Sequence, residues 1–476
     1  MFDQKTKMLS PPGGGRTADV GSERNLMTEM SQASSARPCS RRTVLRMGLT
    51  AAVLGPLLSA CGGADTSGAG GGAGSVVFLS TQFAPVEDRQ KYEATLRRVV
   101  PDQNVAFNPV DAGVFATTIT SQARAGRVEL GLVGGLHGDL ATVAPHLEDL
   151  SELLASLGDR GYPKEMLELA TLGTGTTRYI PWMQATYVVA VNKRALEWLP
   201  SGVDVNDLTY DGFLDWARAA KNANGGKAVF GFPAGPGGLH HRFYQGYLLP
   251  SFTGGQITTF RSPDAVTAWE YMRELWRNMT PASTNYEFMQ EPLASGEVLV
   301  AWDHVARLPQ ALAAKPDDFV VVPAPRGPKG RGYMLVVAGL AIPTGSPVRQ
   351  QAEAVIRALA GDQAQIETLR ANAFFPVTDT PIPDDLPPAV ALQARAVQAQ
   401  QNDPTAIVSL PPVGLGERDG EVSQLFKNCF KSICLDGAPI QPTLDSAANQ
   451  LNAILGSLGI PCWAPDPVGQ GTCMVA

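Results

Sequence analysis

The sequence lacks the short motifs that identify several catalytic sites. It contains no Gly-x-Ser-x-Gly, no His-Glu-x-x-His and no Walker phosphate loop. The Gly/Thr-rich stretch 173–177 lacks the lysine that a phosphate loop needs. The acidic pairs 317–318 and 384–385 are expected to be solvated, and sequence alone cannot identify a glycosidase pair. We therefore predict that the chain is not an enzyme and that it has no cofactor and no metal.

An excess of basic residues is also missing. The formal net charge of the 476 residues is −7, and residues 1–60 carry eight Lys or Arg against four Asp or Glu. The remainder has 30 basic and 41 acidic residues, a net charge of about −11. An acidic body argues against nucleic acid or an anionic membrane surface as the primary partner. With 44% apolar and 17% charged residues, the chain can bury a sizeable core, and its length suits two domains.

The N-terminal segment has the features of an export signal and a lipid anchor. Adjacent Arg41 and Arg42 precede an apolar stretch, 47–60, that is too short to span a bilayer and resembles a twin-arginine signal. The sequence Leu-Ser-Ala-Cys at 58–61 resembles a lipobox, in which the thiol of Cys61 takes the lipid. We expect a signal peptide at 1–60 and a lipidated, Gly-rich tether at 61–75, which would anchor the body to the outer face of a bacterial membrane. Beyond this segment no uninterrupted apolar run reaches about 18 residues, so no other segment is expected to span the membrane.

Four cysteines lie near the C-terminus of the body. They are Cys429, Cys434, Cys462 and Cys473. An even number in an exported protein favours two disulfides, and pairing 429 with 434 and 462 with 473 is the most local of three possibilities. Zinc is the alternative, but no histidine lies nearby and the inner spacing fits a structural site loosely.

Apolar runs and amphipathic stretches alternate from residue 76 onward. Strands are predicted at 76–79, 105–107, 129–133, 187–191, 230–232, 298–301, 319–322 and 336–342. Helices are predicted between them, at 209–221, from Ser262-Pro263-Asp264 onward, at 348–360, and near 388–400, 420–432 and 443–456. This alternation predicts an α/β fold with a parallel sheet covered by helices on both faces. Ligands of such sheets bind beyond the carboxyl ends of the strands, which here are 80–83 and 134–137.

Several segments, in order, resemble extracellular solute-binding proteins that serve carbohydrate ABC importers (family 1). Residues 180–193 look like the family's first hinge and next strand, with Val191 in place of the usual Tyr. Residues 208–213 resemble a Thr-Trp-x-x-Phe helix start, with Tyr210 in place of Trp. Segments 293–302, 322–328, 338–343 and 375–377 complete the series. The resemblance covers about 76–380, and the cysteine-bearing tail departs from it.

The resemblance implies a two-lobed, periplasmic-binding-protein-like fold of type II. Lobe 1 would comprise 76–181 plus 335–376, and lobe 2 would comprise 186–333 plus 380–476. The lobes would close by hinge rotation on a mono- or oligosaccharide, which a monomeric receptor would deliver to the transmembrane subunits of an ABC permease. A phosphorylated polyol or other small anion is an alternative ligand, and a lipid-anchored carbohydrate-active enzyme is the alternative from another class.

Sugar capture needs aromatic rings that stack on pyranose faces and planar polar groups that pair with hydroxyls. The candidate ligand-binding residues are Gln82, Phe83, Trp182, Gln184, Arg242, Trp302, Asp303 and Tyr333. Trp182 is expected to stack on the sugar, because it lies at the inferred hinge. Arg242 follows a Gly-rich loop at the start of a predicted helix, an environment that also suits anions. The adjacent His240 and His241 would point apart on that helix, so a metal site is not expected there.

Overall fold

The computed structural model describes residues 74–415, 418–467, 469 and 471–476. The predicted signal peptide 1–60, Cys61 and the tether up to residue 73 lie outside the described residues. All described residues belong to one compact unit, Gly68–Ala476. Within the described part of the chain, no helix is both long and apolar enough to cross a membrane.

The strands occur in chain order as follows. They are β1 (Val76–Ser80), β2 (Val105–Pro109), β3 (Leu132–Leu136), β4 (Ile180–Ala185), β5 (Tyr187–Asn192), β6 (Phe230–Gly231), β7 (Val300–His304), β8 (Phe319–Val322), β9 (Arg331–Met334), β10 (Val336–Ala341) and β11 (Ala406–Ser409).

The α-helices occur in chain order as follows. They are α1 (Val86–Val99), α2 (Ala112–Arg124), α3 (His137–Thr142), α4 (Ser151–Ser156), α5 (Lys164–Ala170), α6 (Tyr210–Ala223), α7 (His240–Phe243), α8 (Leu249–Thr253), α9 (Pro263–Trp276), α10 (Gln290–Ser295), α11 (Pro309–Ala314), α12 (Arg349–Leu359), α13 (Asp362–Asn372), α14 (Pro388–Gln401), α15 (Asp419–Phe430) and α16 (Ile440–Leu458). A π-helical turn joins α7 to α8, and a second one extends α15.

Residues at the helix starts explain why several helices begin where they do. Ser262 caps α9, since its hydroxyl accepts a hydrogen bond from the amide of Ala265 at 3.2 Å, and Pro263 takes the first helical position. Thr209 caps α6 in the same way through the amide of Gly212 at 3.0 Å. The sequence-based prediction that a helix starts at 262–264 is confirmed.

The first sheet has the strand order β2-β1-β3-β10-β4. Strands β1, β2 and β3 are parallel, as predicted, but β10 is antiparallel to both β3 and β4. The expectation of an all-parallel sheet was therefore wrong. Parallel neighbours need a crossover connection of a dozen or more residues, whereas β10 enters this sheet directly from β9, which pairs with β11 outside it.

The second sheet has the order β6-β7-β5-β8 and is also mixed. Strand β5 is antiparallel to β7 and β8, while β6 runs parallel to β7. All residues of β5 are buried, which explains its continuous apolar sequence. The fold is therefore mixed α/β with two sheets, in agreement with the fold class inferred from the resemblance.

Three chain segments meet where the chain passes between the two sheets. Thr186 links β4 to β5, and its hydroxyl donates to the carbonyl of Met334, which precedes the passage from β9 to β10, at 2.8 Å. The third segment is at Phe375, whose backbone amide and carbonyl both pair with Gln184, at 2.7 and 3.0 Å. Such adjacent strand-like connections can bend together as a hinge.

The C-terminal tail contains one disulfide, between Cys462 and Cys473, whose Cα atoms are 4.6 Å apart. Cys429 and Cys434 are free thiols, which corrects the predicted second pair. Both lie on the helical run formed by α15 and its π-helical extension. Five residues of α-helix separate Cα atoms by about 7.5 Å along the axis, and a disulfide between Cα atoms more than about 7 Å apart needs backbone movement.

Candidate functional site

A cavity of about 1020 Å³ lies between helices that pack on the first sheet and segments from the second half of the chain. One wall is formed by α2 and by α3, which starts directly after β3. The opposite wall is formed by Arg242, by residues 410–412, 414 and 415, and by the start of α15. Residues 335–337, where β9 passes into β10, line it as well. We call this space the interlobe cavity. It lies beyond the carboxyl end of β3, where α/β sheets bind ligands.

Helix α2 lines the cavity with hydroxyl groups. Thr117, Thr120 and Ser121 are three and four residues apart, so they lie on one face of the helix. Thr142 at the end of α3 adds a fourth hydroxyl. Each hydroxyl can donate one hydrogen bond and accept others, which suits a polar ligand with many hydroxyls.

Aromatic rings are missing from this lining. Among the described residues that border the cavity there is no Trp, Tyr or Phe. The imidazole of His137 is the only planar ring among them. The apolar part of the lining comes from small or aliphatic residues such as Leu136, Leu335 and Pro412. Stacking of a sugar face on an aromatic ring is therefore not available in the observed conformation.

His137 is buried at the cavity wall, with 9% of its surface exposed. Its Nδ1 lies 3.0 Å from the hydroxyl of Tyr179, and its Nε2 is buried without a hydrogen-bond partner among the described residues. Burial lowers the pKa of His137 to about 4, because the interior disfavours the charged imidazolium. The ring is therefore neutral at neutral pH.

Asp139 is held in a fixed position in the same wall. Its Oδ2 accepts hydrogen bonds from the hydroxyl of Thr81 at 2.7 Å and from the amide of Leu136 at 3.2 Å. Burial raises the pKa of this carboxyl, these hydrogen bonds lower it, and the negative charge of Asp419 adds to the rise. Asp419 belongs to the opposite wall, so its charge acts on the carboxyl group of Asp139 across the cavity.

Arg242 supplies a cationic group to the opposite wall. Its Nη1 donates to Oε1 of Gln245 at 3.0 Å, and its Nη2 lies 3.7 Å from Oδ2 of Asp419. The second distance is too long for a hydrogen bond, so the guanidinium keeps donor capacity for a ligand oxygen. Arg124, at the end of α2, is a second cation of the lining.

The expectation that Trp182 and Phe83 face the cavity is corrected by the structure. Trp182 is 1% exposed and packs between Phe78, Phe83 and Tyr92, with ring centroids 5.4 to 5.8 Å away. Phe83 stacks on Tyr92 at 4.3 Å. These rings fill the core beside β1 and α1. The sequence located the strand ends, but side chains on a strand alternate between its two faces, and Trp182 faces the core.

Trp302 and Asp303 likewise lie in the core, not at the cavity. Trp302 stacks on Tyr187 with centroids 4.5 Å apart and planes 4° from parallel. Asp303 is fully buried and accepts hydrogen bonds from the amides of Met289 and His304 at 2.8 and 2.7 Å. Burial raises the pKa of Asp303 to about 6. The carboxyl group therefore fixes the segment before α10, and no ligand contact is available to it.

The other predicted residues support the surroundings of the cavity. Gln82 donates to the hydroxyl of Thr81 at 3.0 Å, behind the Thr81–Asp139 pair. Gln184 donates to the carbonyl of Pro376 at 2.6 Å and accepts from Gln401 at 3.0 Å, so it ties the connecting segments together. Tyr333 is buried in β9, and burial raises its pKa to about 12. Of the eight predicted ligand-binding residues, all of which are described, Arg242 alone lines the cavity.

Sequence reasoning missed most residues that line the cavity. It placed 134–137 at a rim, and His137 does border the cavity, but it assigned no role to Asp139 or to the hydroxyls of α2. The spacing of Thr117, Thr120 and Ser121 could have indicated a polar helix face. Residues 410–415 and Asp419 come from the part of the chain outside the family resemblance, where no motif marks them.

Comparisons with known proteins agree on one fold. The model of a family described as bacterial extracellular solute-binding protein matches residues 89–366. Maltose-bound MalE3 of T. maritima superposes with a TM-score of 0.64 at 20% identity, over 80% of this chain and 100% of that chain.

Two further solved structures are similar. The GacH receptor of Streptomyces glaucescens, solved unliganded and with acarbose, gives a TM-score of 0.63 at 16% identity, over 80% of this chain and 98% of that one. UgpB of Mycobacterium tuberculosis, in complex with glycerophosphocholine, gives 0.63 at 18% identity, over 81% and 99%. No curated protein matches the chain by sequence.

Proposed function

The chain belongs to the family of bacterial extracellular solute-binding proteins, and we propose that it is the receptor of an ABC importer for a mono- or oligosaccharide. The interlobe cavity carries this proposal. Its volume of about 1020 Å³ can hold an oligosaccharide, and hydroxyl, carboxyl and guanidinium groups line it from both sides. The family consists of transport receptors, so the alternative of a carbohydrate-active enzyme is set aside.

The proposed mechanism is closure of two lobes on the ligand. We assign lobe 1 to 76–181 plus 335–376 and lobe 2 to 186–333 plus 380–476. A ligand that contacts α2 and α3 on one side and Arg242 on the other would stabilise the closed form and shift the population toward it. The closed receptor would then dock on the permease subunits. We also propose that the signal at 1–60 directs export and that Cys61 carries a lipid anchor.

A small anion, such as a phosphorylated polyol, is the second candidate ligand. Two observations favour it, namely the guanidinium groups of Arg242 and Arg124 on the lining and the missing aromatic rings. UgpB, one of the similar structures, binds a phosphodiester. For either ligand, Arg242→Ala is expected to weaken binding, and the loss is expected to be larger for the anion, because removal of one charged partner leaves the ligand's charge unpaired.

A ligand screen by thermal shift and calorimetry tests the proposal. The panel is maltose, maltotriose, glycerol 3-phosphate and glycerophosphocholine, applied to the exported body without its signal peptide. Saturation at 100 times Kd stabilises a receptor by about 2.7 kcal/mol, which raises Tm by several degrees. Stabilisation by the sugars supports the first candidate, and stabilisation by the phosphate esters alone rejects it in favour of the second. Chemical conversion of a bound sugar would contradict a receptor function.

A further inference from the structure

A buried histidine without a complete set of partners lies in the wall of the interlobe cavity. The Nδ1 atom of His137 faces the hydroxyl of Tyr179 at 3.0 Å, but its Nε2 atom has no hydrogen-bond partner among the described residues and no contact with solvent. A buried polar atom without a partner destabilises a protein by about 1–3 kcal/mol. Such an atom in a native structure calls for an explanation, and His137 is distinguished from the unpartnered ring nitrogens of the core, such as those of Trp182 and Trp302, by its place in the cavity wall.

The hydroxyl of Tyr179 decides what Nε2 can offer. Tyr179 is fully buried, and the structure gives its hydroxyl no second partner within the described residues. Burial raises its pKa above the usual value, so the hydroxyl keeps its proton. If Tyr179 donates this proton to Nδ1, the neutral imidazole carries its own proton on Nε2. One acceptor at Nε2 then gives both the Tyr179 hydroxyl and the imidazole a partner for their proton. In the opposite arrangement the Tyr179 proton would stay unpaired whatever binds at Nε2.

We propose that His137 is a ligand-binding residue that donates a hydrogen bond from Nε2 to an oxygen of the ligand, and that Tyr179 is a positioning residue that fixes this tautomer. The inference rests on the proposed function, because it takes the interlobe cavity as the ligand site. Nε2 is closed off in the observed conformation, so this hydrogen bond forms when the cavity wall rearranges around the ligand.

The burial of His137 fits this role. A neutral imidazole donates to hydroxyl, ether or phosphoryl oxygens without adding a charge to the cavity, and it does so over the whole physiological pH range. Asp139, two residues further on, has its Oδ2 engaged by Thr81 and Leu136. His137 and Asp139 therefore offer complementary groups, a donor and an acceptor, from the same wall.

Nitrogen NMR of the whole exported body at pH 7, with ¹⁵N-labelled histidine, tests the tautomer. The chain has five histidines, and the His137→Leu spectrum identifies the signals of His137. The expected result is a proton on Nε2 in wild type and a mixture of tautomers in Tyr179→Phe. A proton on Nδ1 in wild type would overturn the inference, whether or not any ligand is known.

Calorimetry with maltose and glycerophosphocholine as probes tests the contact. For the probe that binds, His137→Leu is expected to reduce the affinity at least about tenfold, and His137→Gln to retain part of it. Tyr179→Phe is expected to reduce the affinity about threefold. His146→Leu, in the same half of the protein but outside the cavity lining, is the matched control and should bind as wild type does.

Equal affinity of wild type and a folded His137→Leu variant would overturn the contact while leaving the proposed function intact. A wild-type protein that binds no member of the panel would contradict the proposed function instead, and the tautomer measurement would still decide the arrangement of His137 and Tyr179.

Discussion

The roles of individual residues in this protein follow from their surroundings more than from their type. The aromatic side chains that suggested sugar stacking, Trp182 and Trp302, are both in cores, at 1% and 2% exposure. The cavity is lined instead by hydroxyl groups, a neutral imidazole, carboxyl groups and guanidinium groups. Ligand recognition by this protein is therefore expected to depend on hydrogen bonds and charge, which makes it sensitive to the pattern of ligand oxygens.

Replacement of Trp182 by Phe is expected to reduce stability without changing ligand affinity. The smaller ring leaves a void among Phe78, Phe83 and Tyr92, which should lower the free energy of unfolding by about 1–3 kcal/mol. Urea unfolding and calorimetry measure the two effects. Trp198→Phe, at a partly exposed position, is the control with a smaller loss. Lost affinity in a Trp182→Phe protein of normal fold would return Trp182 to the site.

Side-chain direction limits what the sequence could predict at this scale. The strand that ends near Ser80 was located correctly by apolar patterning. Residues 180–193, which the resemblance assigns to the first hinge and the next strand, contain β4 and β5. Whether a strand residue faces the core or the cavity depends on the orientation of the strand in its sheet. A tryptophan beside a hinge is compatible with either direction, so the sequence does not decide between them. Arg242 was found because a Gly-rich loop before a helix has a recognisable composition.

Secondary-structure elements at the C-terminus hold one wall of the cavity. Asp466 accepts hydrogen bonds from the amides of Gln256, Ile257 and Thr258, each at 2.8 Å. The Gln256 side chain donates to the carbonyl of Leu410, and the Leu410 amide donates to Ala464. The tail that carries the disulfide therefore fixes Leu410, which borders the cavity.

Removal of the disulfide is expected to destabilise the protein. Cys462 and Cys473 close a loop with a sequence separation of 11 residues. Replacing both by Ser raises the entropy of the unfolded chain, which should lower the free energy of unfolding by roughly 3 kcal/mol. Unfolding in urea under non-reducing conditions measures the loss. Cys434→Ser changes a free thiol and is the matched control, with a small effect expected. Equal losses in both proteins would show that the bridge contributes little.

Most strands and most of the long helices were predictable from the local sequence pattern. The strands at 187–191 and 319–322 and the helix at 388–400 agree with β5, β8 and α14 to within one residue at each end. Strands β9 and β11 were missed; they pair only with each other, and their sequences, Arg-Gly-Tyr-Met and Ala-Ile-Val-Ser, lack the continuous apolar run of β8, which is equally short. The antiparallel direction of β10 depends on the route of the chain between sheets, which local patterning does not contain.

The whole molecule is expected to lose stability in weak acid. Burial lowers the pKa of His240 to about 4, and the same cause acts on His137. Above pH 6.5 these groups are neutral in the folded and unfolded states, so they do not change the free energy of unfolding with pH. Below pH 6.5 the unfolded chain binds protons that the folded protein does not, and stability falls until pH reaches the folded pKa.

The variant His240→Gln is expected to flatten this pH dependence. His240 is 4% exposed, and its protonation in the unfolded chain accounts for up to about 3 kcal/mol between pH 6.5 and 4. Free energies of unfolding at pH 7 and pH 4.5 measure the change. Asp303, whose pKa is raised to about 6, acts in the opposite direction over this range and is unchanged in both proteins. An identical pH dependence in the variant would contradict neutral burial of His240.

A side chain that fills the interlobe cavity tests the central claim most directly. Gly138 borders the cavity, and a Cβ atom there would lie 3.6 Å from the carbonyl of Pro412 on the opposite wall, so Gly138→Trp is expected to occupy the ligand space. Gly456→Trp, on the exposed side of α16, is the matched control. Maltotriose and glycerophosphocholine are titrated into these proteins by calorimetry. The ligand that binds wild type should also bind Gly456→Trp, and should give no measurable binding to Gly138→Trp. Wild-type affinity in a folded Gly138→Trp protein would contradict capture of the ligand between the lobes.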